Sequence, residues 1–366
     1  MNGRRGSDVA QVSTAVHSHP ERGVRNSQPE GIGRVASLTG MCAWNNLGRN
    51  IVFADRAFRP LAVLDETSFP DDDELSQYDL DVHAILEIEA AGLVIALNHL
   101  GAVRIFRASD IRRSGPARSL RPIRTLDFVA DVERAVVVGD RLVGSRPRSQ
   151  RATGILVSEP LSAAGPRRRL DVIVQLEPCG EVTALGAWPV AGGDWIAVGG
   201  EGRVSVRAVV DGTVRPPRWE TGVDFRPAGF AWDGNLLWAA GSDLGADGID
   251  DYDWEQVRGG GFVGLDPLDG DVVVTGRFPP DLAWGNGGVA VVLVAGALCG
   301  IGRSGELYLF STRDGAGVGV TAPLAHHSLG IAHAAVVGDH VLCGWNRDGY
   351  RLHSFPAATL ATSRTA

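Results

Sequence analysis

The chain has 366 residues, a formal net charge of -8 at pH 7 and 44% hydrophobic residues, which is ample for a large core. The negative balance argues against a protein that binds the phosphate backbone of nucleic acids. No run of about 18 apolar residues is present, so no membrane-spanning helix is predicted. Because the N-terminus also lacks the apolar segment of a secretory signal, we expect a cytoplasmic protein.

Residues 1–35 are polar and rich in Ser, Gly, Arg and His, and this composition predicts a disordered tail. After the tail, a hairpin outline recurs: an apolar run, a polar turn that ends in Gly, and a second alternating run. Clear copies begin at Val94, Trp195, Leu298 and Leu342. A hairpin that returns roughly every 40 to 45 residues predicts one all-β repeat domain over residues 36–366.

Seven such units can be laid along the chain, and the third and fifth fit the outline least well. The units cover approximately 36–66, 79–111, 121–160, 171–212, 225–271, 272–315 and 318–358. Seven strand-rich units favour a closed ring, because closure removes the unpaired edges of the sheet. Merging or splitting the two poor units gives six or eight, so the count stays open within that range.

The repeat resembles the broad WD40-like, quinoprotein-like and gluconolactonase-like groups of β-propellers. The resemblance concerns architecture, because the Gly-His and Trp-Asp dipeptides of true WD40 repeats are not repeated here. It implies a single β-propeller of seven four-stranded blades, whose strands A to D run outward from a central channel. It also implies that D-to-A connections and B–C turns share one face, whereas A–B and C–D turns share the other.

Two acidic segments fall on the first of these faces. The first acidic segment is the D-to-A connection 68–81, and the second acidic segment is an enlarged B–C turn at 241–260. The second segment also holds two aromatic side chains, which often anchor a partner. Its predicted binding residues are Asp250, Asp251, Tyr252, Asp253 and Trp254. Because the C–D loops carry arginines, we expect one acidic and one basic face, which would orient charged partners.

A second candidate site lies where the innermost strands begin. His83 and His333 take matching places in two units, and Arg134 and Thr183 take that place in two others. Equivalent positions around a ring converge on the channel mouth, where propellers bind ligands. Asp281 is expected nearby. The candidate catalytic residues are therefore His83, Arg134, Asp281 and His333.

A divalent metal is the one cofactor that the sequence suggests, and its identity is left open. The imidazoles of His83 and His333 suit either acid–base chemistry or a metal that they share with carboxylates. The carboxylates of the second acidic segment suit Ca²⁺, although their spacing does not match an EF-hand loop. The four cysteines lack metal-site spacing and are expected to be buried small hydrophobic residues.

Two functions from different classes follow. In the first, the propeller is a cytoplasmic scaffold whose acidic face docks a protein partner or a small-molecule ligand. In the second, it is a lactonase-like hydrolase or a lyase with its site around His83 and His333. The lack of a recognised catalytic motif favours the scaffold, and the fold decides neither.

Overall fold

The structure of the protein is a computed structural model. It describes residues 15–18, 32–46, 50–65, 82–98, 101–115, 120–128, 132, 134–145, 154–161, 169–170, 172–175, 181–188, 194–244, 258–284, 289–294, 296–303, 306–320, 331–345 and 351–356.

The described strands form seven sheets, numbered here by the position of their innermost strand in the chain. Strand β1 is Ala15–Ser18. Sheet 1 contains β2 to β5, which are Ile32–Leu38, Met41–Asn46, Asn50–Asp55 and Pro60–Asp65. Sheet 2 contains β6 to β9, which are Val82–Ile88, Leu93–Asn98, Ala102–Arg107 and Arg124–Phe128. Sheet 3 contains β10, β11, β12 and β14, which are Arg134–Val138, Arg141–Ser145, Ile155–Ser158 and Val172–Gln175.

The remaining sheets repeat the same antiparallel order. Sheet 4 contains β15 to β18, which are Ala184–Trp188, Trp195–Gly200, Arg203–Val210 and Thr213–Gly222. Sheet 5 contains β19 to β22, which are Phe225–Trp232, Leu237–Asp243, Gly261–Leu265 and Val272–Arg277. Sheet 6 contains β23 to β26, which are Ala290–Val294, Ala297–Ile301, Leu307–Ser311 and Gly317–Val320. Sheet 7 contains β27 to β29, which are Ile331–Val337, His340–Trp345 and Arg351–Pro356, with β1 as its fourth strand.

Three short elements complete the described chain. A 3-10 helix, Glu89–Ala91, joins β6 to β7, and the helix α1, Ala108–Ser114, joins β8 to β9. Strand β13, Arg169–Leu170, pairs in parallel with β9 and adds a fifth strand to sheet 2. No helix in the described part of the chain is long and apolar enough to span a membrane.

The innermost strands of the sheets form a closed ring. In ring order these strands are β2, β6, β10, β15, β19, β23 and β27, and each contacts the next. Strand β27 also contacts β2, which completes the circle. The prediction of an all-β fold with a single β-propeller is therefore confirmed.

The outermost strands correct the unit boundaries. The sixth unit was predicted to begin at Val272. Val272 instead begins β22, which is the fourth strand of sheet 5. Likewise, β9 belongs to sheet 2 and β14 to sheet 3, although both were assigned to the unit that follows. The hairpin outline identifies only the first three strands of a sheet, and the fourth strand follows a connection of variable length.

Part of the interval 1–35, which was predicted to be a disordered tail, forms strands. Strand β1 pairs with β29 from Ala15↔Ser354 to Ser18↔Arg351, so an N-terminal strand completes the sheet that the C-terminal strands begin. Strand β2 starts at Ile32, before the predicted domain boundary. The other residues of this interval lie outside the described residues.

Alternating side chains build the core between the sheets. Along β7, Val94 and Ala96 pack in a cluster with residues of sheet 1, whereas Ile95 and Leu97 pack in a cluster with residues of sheet 3. This period of two is the one expected for a strand that is buried on both faces. Three of the cysteines follow the same rule, because Cys42, Cys299 and Cys343 are buried free thiols, as predicted.

Candidate functional site

The two ends of the ring are distinguished by the direction of the inner strands. We call the end at which they begin the entry face, and the other end the opposite face. Strand β5 is followed by β6, and β20 by β21, so both acidic segments connect strand ends at the entry face. The Nη2 atom of Arg112 in α1 donates to the carbonyl oxygen of Thr39, at 2.7 Å. This contact joins a C–D connection to an A–B turn, which places both kinds of turn on the opposite face.

The strand register separates the two histidines that the sequence treated as equivalent. His333 pairs with Gly344. The residue at the corresponding position of sheet 2 is Ala84, which pairs with Leu97. His83 falls in the irregularity between Val82 and Ala84 and has no partner in the register. Their strands, β27 and β6, both adjoin β2 rather than each other. The predicted equivalence of His83 and His333 is therefore wrong by one residue.

Counting from the hairpin turns identifies the true equivalents of His333. Arg34 pairs with Asn45 in sheet 1, and Arg134 pairs with Ser145 in sheet 3. These two positions lie as far from their A–B turns as His333 lies from its own. The sequence reasoning found Arg134 but missed Arg34, because Arg34 falls within the interval 1–35 that was predicted to be a tail.

Arg134 and Ser145 lie at the entry-face end of the interface between sheets 3 and 4. Register partners in an antiparallel pair project from the same side of the sheet, with their Cβ atoms about 5 Å apart. Arg134 and Ser145 are such partners. Their side of sheet 3 is the side of Val136 and Val143, which pack in a cluster with residues of sheet 4.

Thr183 lies one residue before β15 of sheet 4. Its amide donates to the carbonyl oxygen of Gly199 at 2.8 Å, although Gly199 is the register partner of Ala184, so the ladder is bulged at this point. Val182 and Leu185 both pack in the cluster shared with sheet 3, so Thr183 does not continue the alternation toward that sheet. Strands β10 and β15 are neighbours in the ring and begin at the same face.

The hydroxyl groups of Ser145 and Thr183 are deeply buried. Ser145 is 0% exposed and Thr183 is 4% exposed. Within the described structure, neither Ser145 Oγ nor Thr183 Oγ1 has a hydrogen-bond partner. A buried polar atom without a partner is uncommon in native proteins and requires an explanation, because its desolvation is not compensated.

At the entry-face end of the adjoining interface, an arginine side chain is paired with a carboxylate. Between sheets 4 and 5, Arg226 Nη2 pairs with Glu181 Oε1 at 2.6 Å, and both side chains are largely buried. Between sheets 1 and 2, the Nδ2 atom of the fully buried Asn45 donates to the carbonyl oxygen of Val82 at 3.1 Å. Polar residues thus occupy the entry-face end of several interfaces, whereas apolar residues fill the layers below.

Asp281 lies in the connection between sheets 5 and 6. It is exposed in the turn that precedes Trp284 and β23, between sheets 5 and 6. Burial, followed by the charges of Glu306 and Asp281, raises the pKa of Tyr308. Tyr308 belongs to β25, the third strand of its sheet, so Asp281 lies close enough to that strand to affect its charge balance. The grouping of the four candidate catalytic residues stays a prediction, because the side chains of His83 and His333 lie outside the described residues.

The predicted binding residues lie outside the described residues. These are Asp250, Asp251, Tyr252, Asp253 and Trp254. The first acidic segment also lies outside them. The enzymatic interpretation around His83 and His333 stays a prediction, because the structure describes the backbone of these two residues and not their side chains.

The base of the second acidic segment is described and is held by several contacts. The Asp243 amide donates to the carbonyl oxygen of Arg258 at 3.4 Å, which joins the two ends of the segment. Arg277 pairs with Asp243 at 3.1 Å and with Asp224 at 2.9 Å. The indole Nε1 of the buried Trp284 donates to the carbonyl oxygen of Gly259 at 2.8 Å.

The described turns of the opposite face carry charges of both signs. Beside the arginines they hold exposed carboxylates, namely those of Asp194, Asp211, Asp269, Asp271, Asp314 and Asp339. The expected separation into one acidic and one basic face stays a prediction, because Arg118, Arg167 and Arg168 lie outside the described residues. No group of three or more His, Cys, Asp or Glu side chains suited to a metal occurs among the described residues.

Comparisons with known proteins support the class of fold. The chain matches no protein-family model and no curated protein. It is similar to the solved β-propeller domain of Myceliophteria thermophila Cps50 (Swd1), at 11% identity and a TM-score of 0.63, over 93% of this chain and 99% of that one. It is also similar to the computationally designed protein Ika8, at 10% identity and a TM-score of 0.53, over 88% of this chain and 83% of that one. Identities this low show the β-propeller fold and nothing finer.

Proposed function

We propose that this protein is a binding scaffold, a seven-bladed β-propeller that docks a basic protein partner through the acidic segments of its entry face. The seven sheets and the closed contacts of their inner strands support the blade count. The connectivity supports the choice of face, since the strand ends on either side of both acidic segments lie there.

The observation that carries the proposal is the held base of the second acidic segment. Its two ends are joined at Asp243 and Arg258, and Arg277 ties Asp243 to the start of sheet 5. An insertion whose two ends are held in place presents its side chains at a defined position on the ring. Carboxylates and aromatic side chains in one such segment suit a partner with a basic and apolar surface.

The test compares variants in affinity capture from the native host, with the bound partner identified and quantified. Trp254→Ala and the double variant Asp250→Arg/Asp251→Arg are expected to reduce the captured partner at least tenfold, because they remove an anchor and reverse the charge. Asp271→Arg is the matched control, since Asp271 is exposed on the same sheet at the opposite face. Equal capture by all variants contradicts the proposal, as does a loss that is confined to Asp271→Arg.

A further inference from the structure

We propose that the outer hairpin of sheet 4, formed by β17 and β18, docks an acidic segment of a partner protein through Arg215 and Arg218 beside Trp195. This surface lies at the opposite face and uses no residue of the acidic segments. It therefore stands or falls independently of the partner docking proposed above.

The outer hairpin is longer than its neighbour and projects past it. Strands β17 and β18 have eight and ten residues, whereas the corresponding strands of sheet 5, β21 and β22, have five and six. The turn between β21 and β22 packs on the later half of β18. There, Trp219 Nε1 donates to the carbonyl oxygen of Pro267 at 3.1 Å, and Thr221 Oγ1 donates to that of Gly270 at 2.7 Å. The hairpin continues beyond these contacts, and residues 215–218 are exposed.

The side of the hairpin that faces sheet 5 carries an aromatic surface. Trp188 packs in the cluster shared with sheet 5, and its register partner is Trp195, which in turn pairs with Ala208 of β17. Register partners project from the same side of a sheet, so the half-buried Trp195 also lies on the side of sheet 5. Because the side chain of Ala208 is small, Arg218 of β18 extends across it. The Cζ atom of Arg218 lies over the Trp195 ring, 5.5 Å from its centroid.

The two arginines of the outer hairpin offer positive charge to a partner. Among the described residues, neither Arg215 nor Arg218 forms an ion pair with a carboxylate, whereas Arg203 at the start of β17 pairs with Glu220 at 3.5 Å. The contact with Trp195 already holds the Arg218 guanidinium in place, so less side-chain freedom is lost on binding. A guanidinium donates two parallel hydrogen bonds to a carboxylate. A carboxylate therefore fits this place better than a neutral group.

Exposed apolar side chains beside the arginines favour a protein segment over a free anion. Val210 is 41% exposed and Leu268 is 65% exposed. Since Val209 packs with sheet 3, Val210 projects toward sheet 5. Leu268 belongs to the turn that contacts Trp219. Exposed apolar surface with a polar rim is typical of an interaction site. An acidic segment that also carries an apolar side chain would cover this surface and pair with Arg218.

Two prolines determine how such a segment is recognised. Pro216 and Pro217 lack a backbone N–H, so the outer edge of β18 cannot extend the sheet with a strand of the partner here. Their fixed φ angles also set the positions of Arg215 and Arg218 on either side of them. Recognition therefore depends on side chains, and charge reversal at the arginines tests it directly.

The experiment measures, by fluorescence anisotropy, the binding of a fluorescein-labelled random copolymer of glutamate and tyrosine to the full chain. The net charge of -8 opposes a polyanion, so binding requires a local site. Arg218→Glu is expected to weaken the Kd at least about tenfold, and Arg215→Glu about fivefold. Arg313→Glu is the matched control, because Arg313 is exposed in the turn between β25 and β26 at the same face, and it should bind like the wild type.

Four results would overturn the proposal. The first is a wild type that does not bind the copolymer, or that binds it no better than Arg218→Glu does. The second is an equal weakening by Arg313→Glu, which would assign binding to the general field of this face. The third is displacement of the copolymer by oligothymidylate at a lower concentration than by unlabelled copolymer, which would assign a nucleic acid. The fourth is self-association of the wild type that Arg218→Glu abolishes, which would assign the surface to a second copy of the chain.

Discussion

Asp233 shows how much one side chain contributes to a turn of this ring. Its Oδ1 atom accepts the amides of Asn235 at 2.8 Å and Leu236 at 2.7 Å, and its Oδ2 atom accepts Nε1 of the fully buried Trp238 at 2.7 Å. Burial on its own raises the pKa of Asp233, but the hydrogen bonds from Leu236, Trp238 and Asn235 outweigh it and hold the pKa below its ordinary value. The ionised carboxylate is therefore the form that the folded protein prefers.

Asp233→Asn is expected to lower the free energy of unfolding by about 0.5–1 kcal/mol at pH 7, because the bond from Trp238 loses its charged acceptor while solvent screens the exposed carboxylate. A pKa that is lower in the folded than in the unfolded chain stabilises fully above the unfolded value, near pH 4, and this contribution is lost as pH falls through the folded value. Urea denaturation at pH 7 and pH 3 checks both points, with the exposed Asp271→Asn as control. A loss that is as large at pH 3 as at pH 7 would contradict the role of the charge.

Part of the candidate site could be predicted from the sequence at the scale of single residues. The two residues between Val138 and Arg141 form the A–B turn of sheet 3, and counting outward from that turn pairs Arg134 with Ser145. The same count fails for His83, because the bulge in β6 shifts the register by one residue. A bulge depends on the neighbouring strand and has no reliable sequence signal.

Among the elements, sheet 5 is distinguished by close backbone contacts beside the second acidic segment. A Cβ atom at Gly241 would collide with the carbonyl oxygen of Arg226, and one at Gly260 would collide with that of Gly241. Gly260 also has φ of +106°, a conformation that other residues rarely adopt. Gly241 and Gly260 therefore have a packing role at the base of the segment.

Gly241→Ala is expected to lower the free energy of unfolding by about 3 kcal/mol, because the collision involves backbone atoms that cannot rotate away. Chemical denaturation measures the loss. Gly229→Ala in the adjacent β19 is the control, since a Cβ atom there would have no neighbour within 4 Å, and it should be almost neutral. Equal stability of the two variants would show that sheet 5 relaxes around the added methyl group.

Closure of the ring depends on how the N-terminal and C-terminal strands of the chain pair. Sheet 7 takes three strands from the C-terminal part of the chain and its fourth, β1, from the N-terminal part. Hydrogen bonds between β1 and β29 therefore link both ends of the ring, and opening the ring requires the loss of this pairing. A disordered tail would make no such contribution.

Deletion of residues 1–18 is expected to lower the free energy of unfolding by about 2–4 kcal/mol, since it removes a short strand whose backbone hydrogen bonds each contribute about 1 kcal/mol. Deletion of residues 1–14 leaves β1 in place and should have little effect. Thermal and urea unfolding of the two truncated chains measure the difference. Truncations of equal stability would show that β1 does not hold the ring closed.

The sequence by itself determined the class of fold, because strand alternation and turn glycines recur locally in every unit and need no distant partner. Side-chain alternation also determined the burial of Cys42, Cys299 and Cys343. Only the tertiary structure decided where each outermost strand belongs and that β1 pairs with β29, since these pairings join segments that are distant in the chain. It alone brought Arg226 to Glu181, because that contact depends on the direction in which two neighbouring sheets present their side chains across one interface.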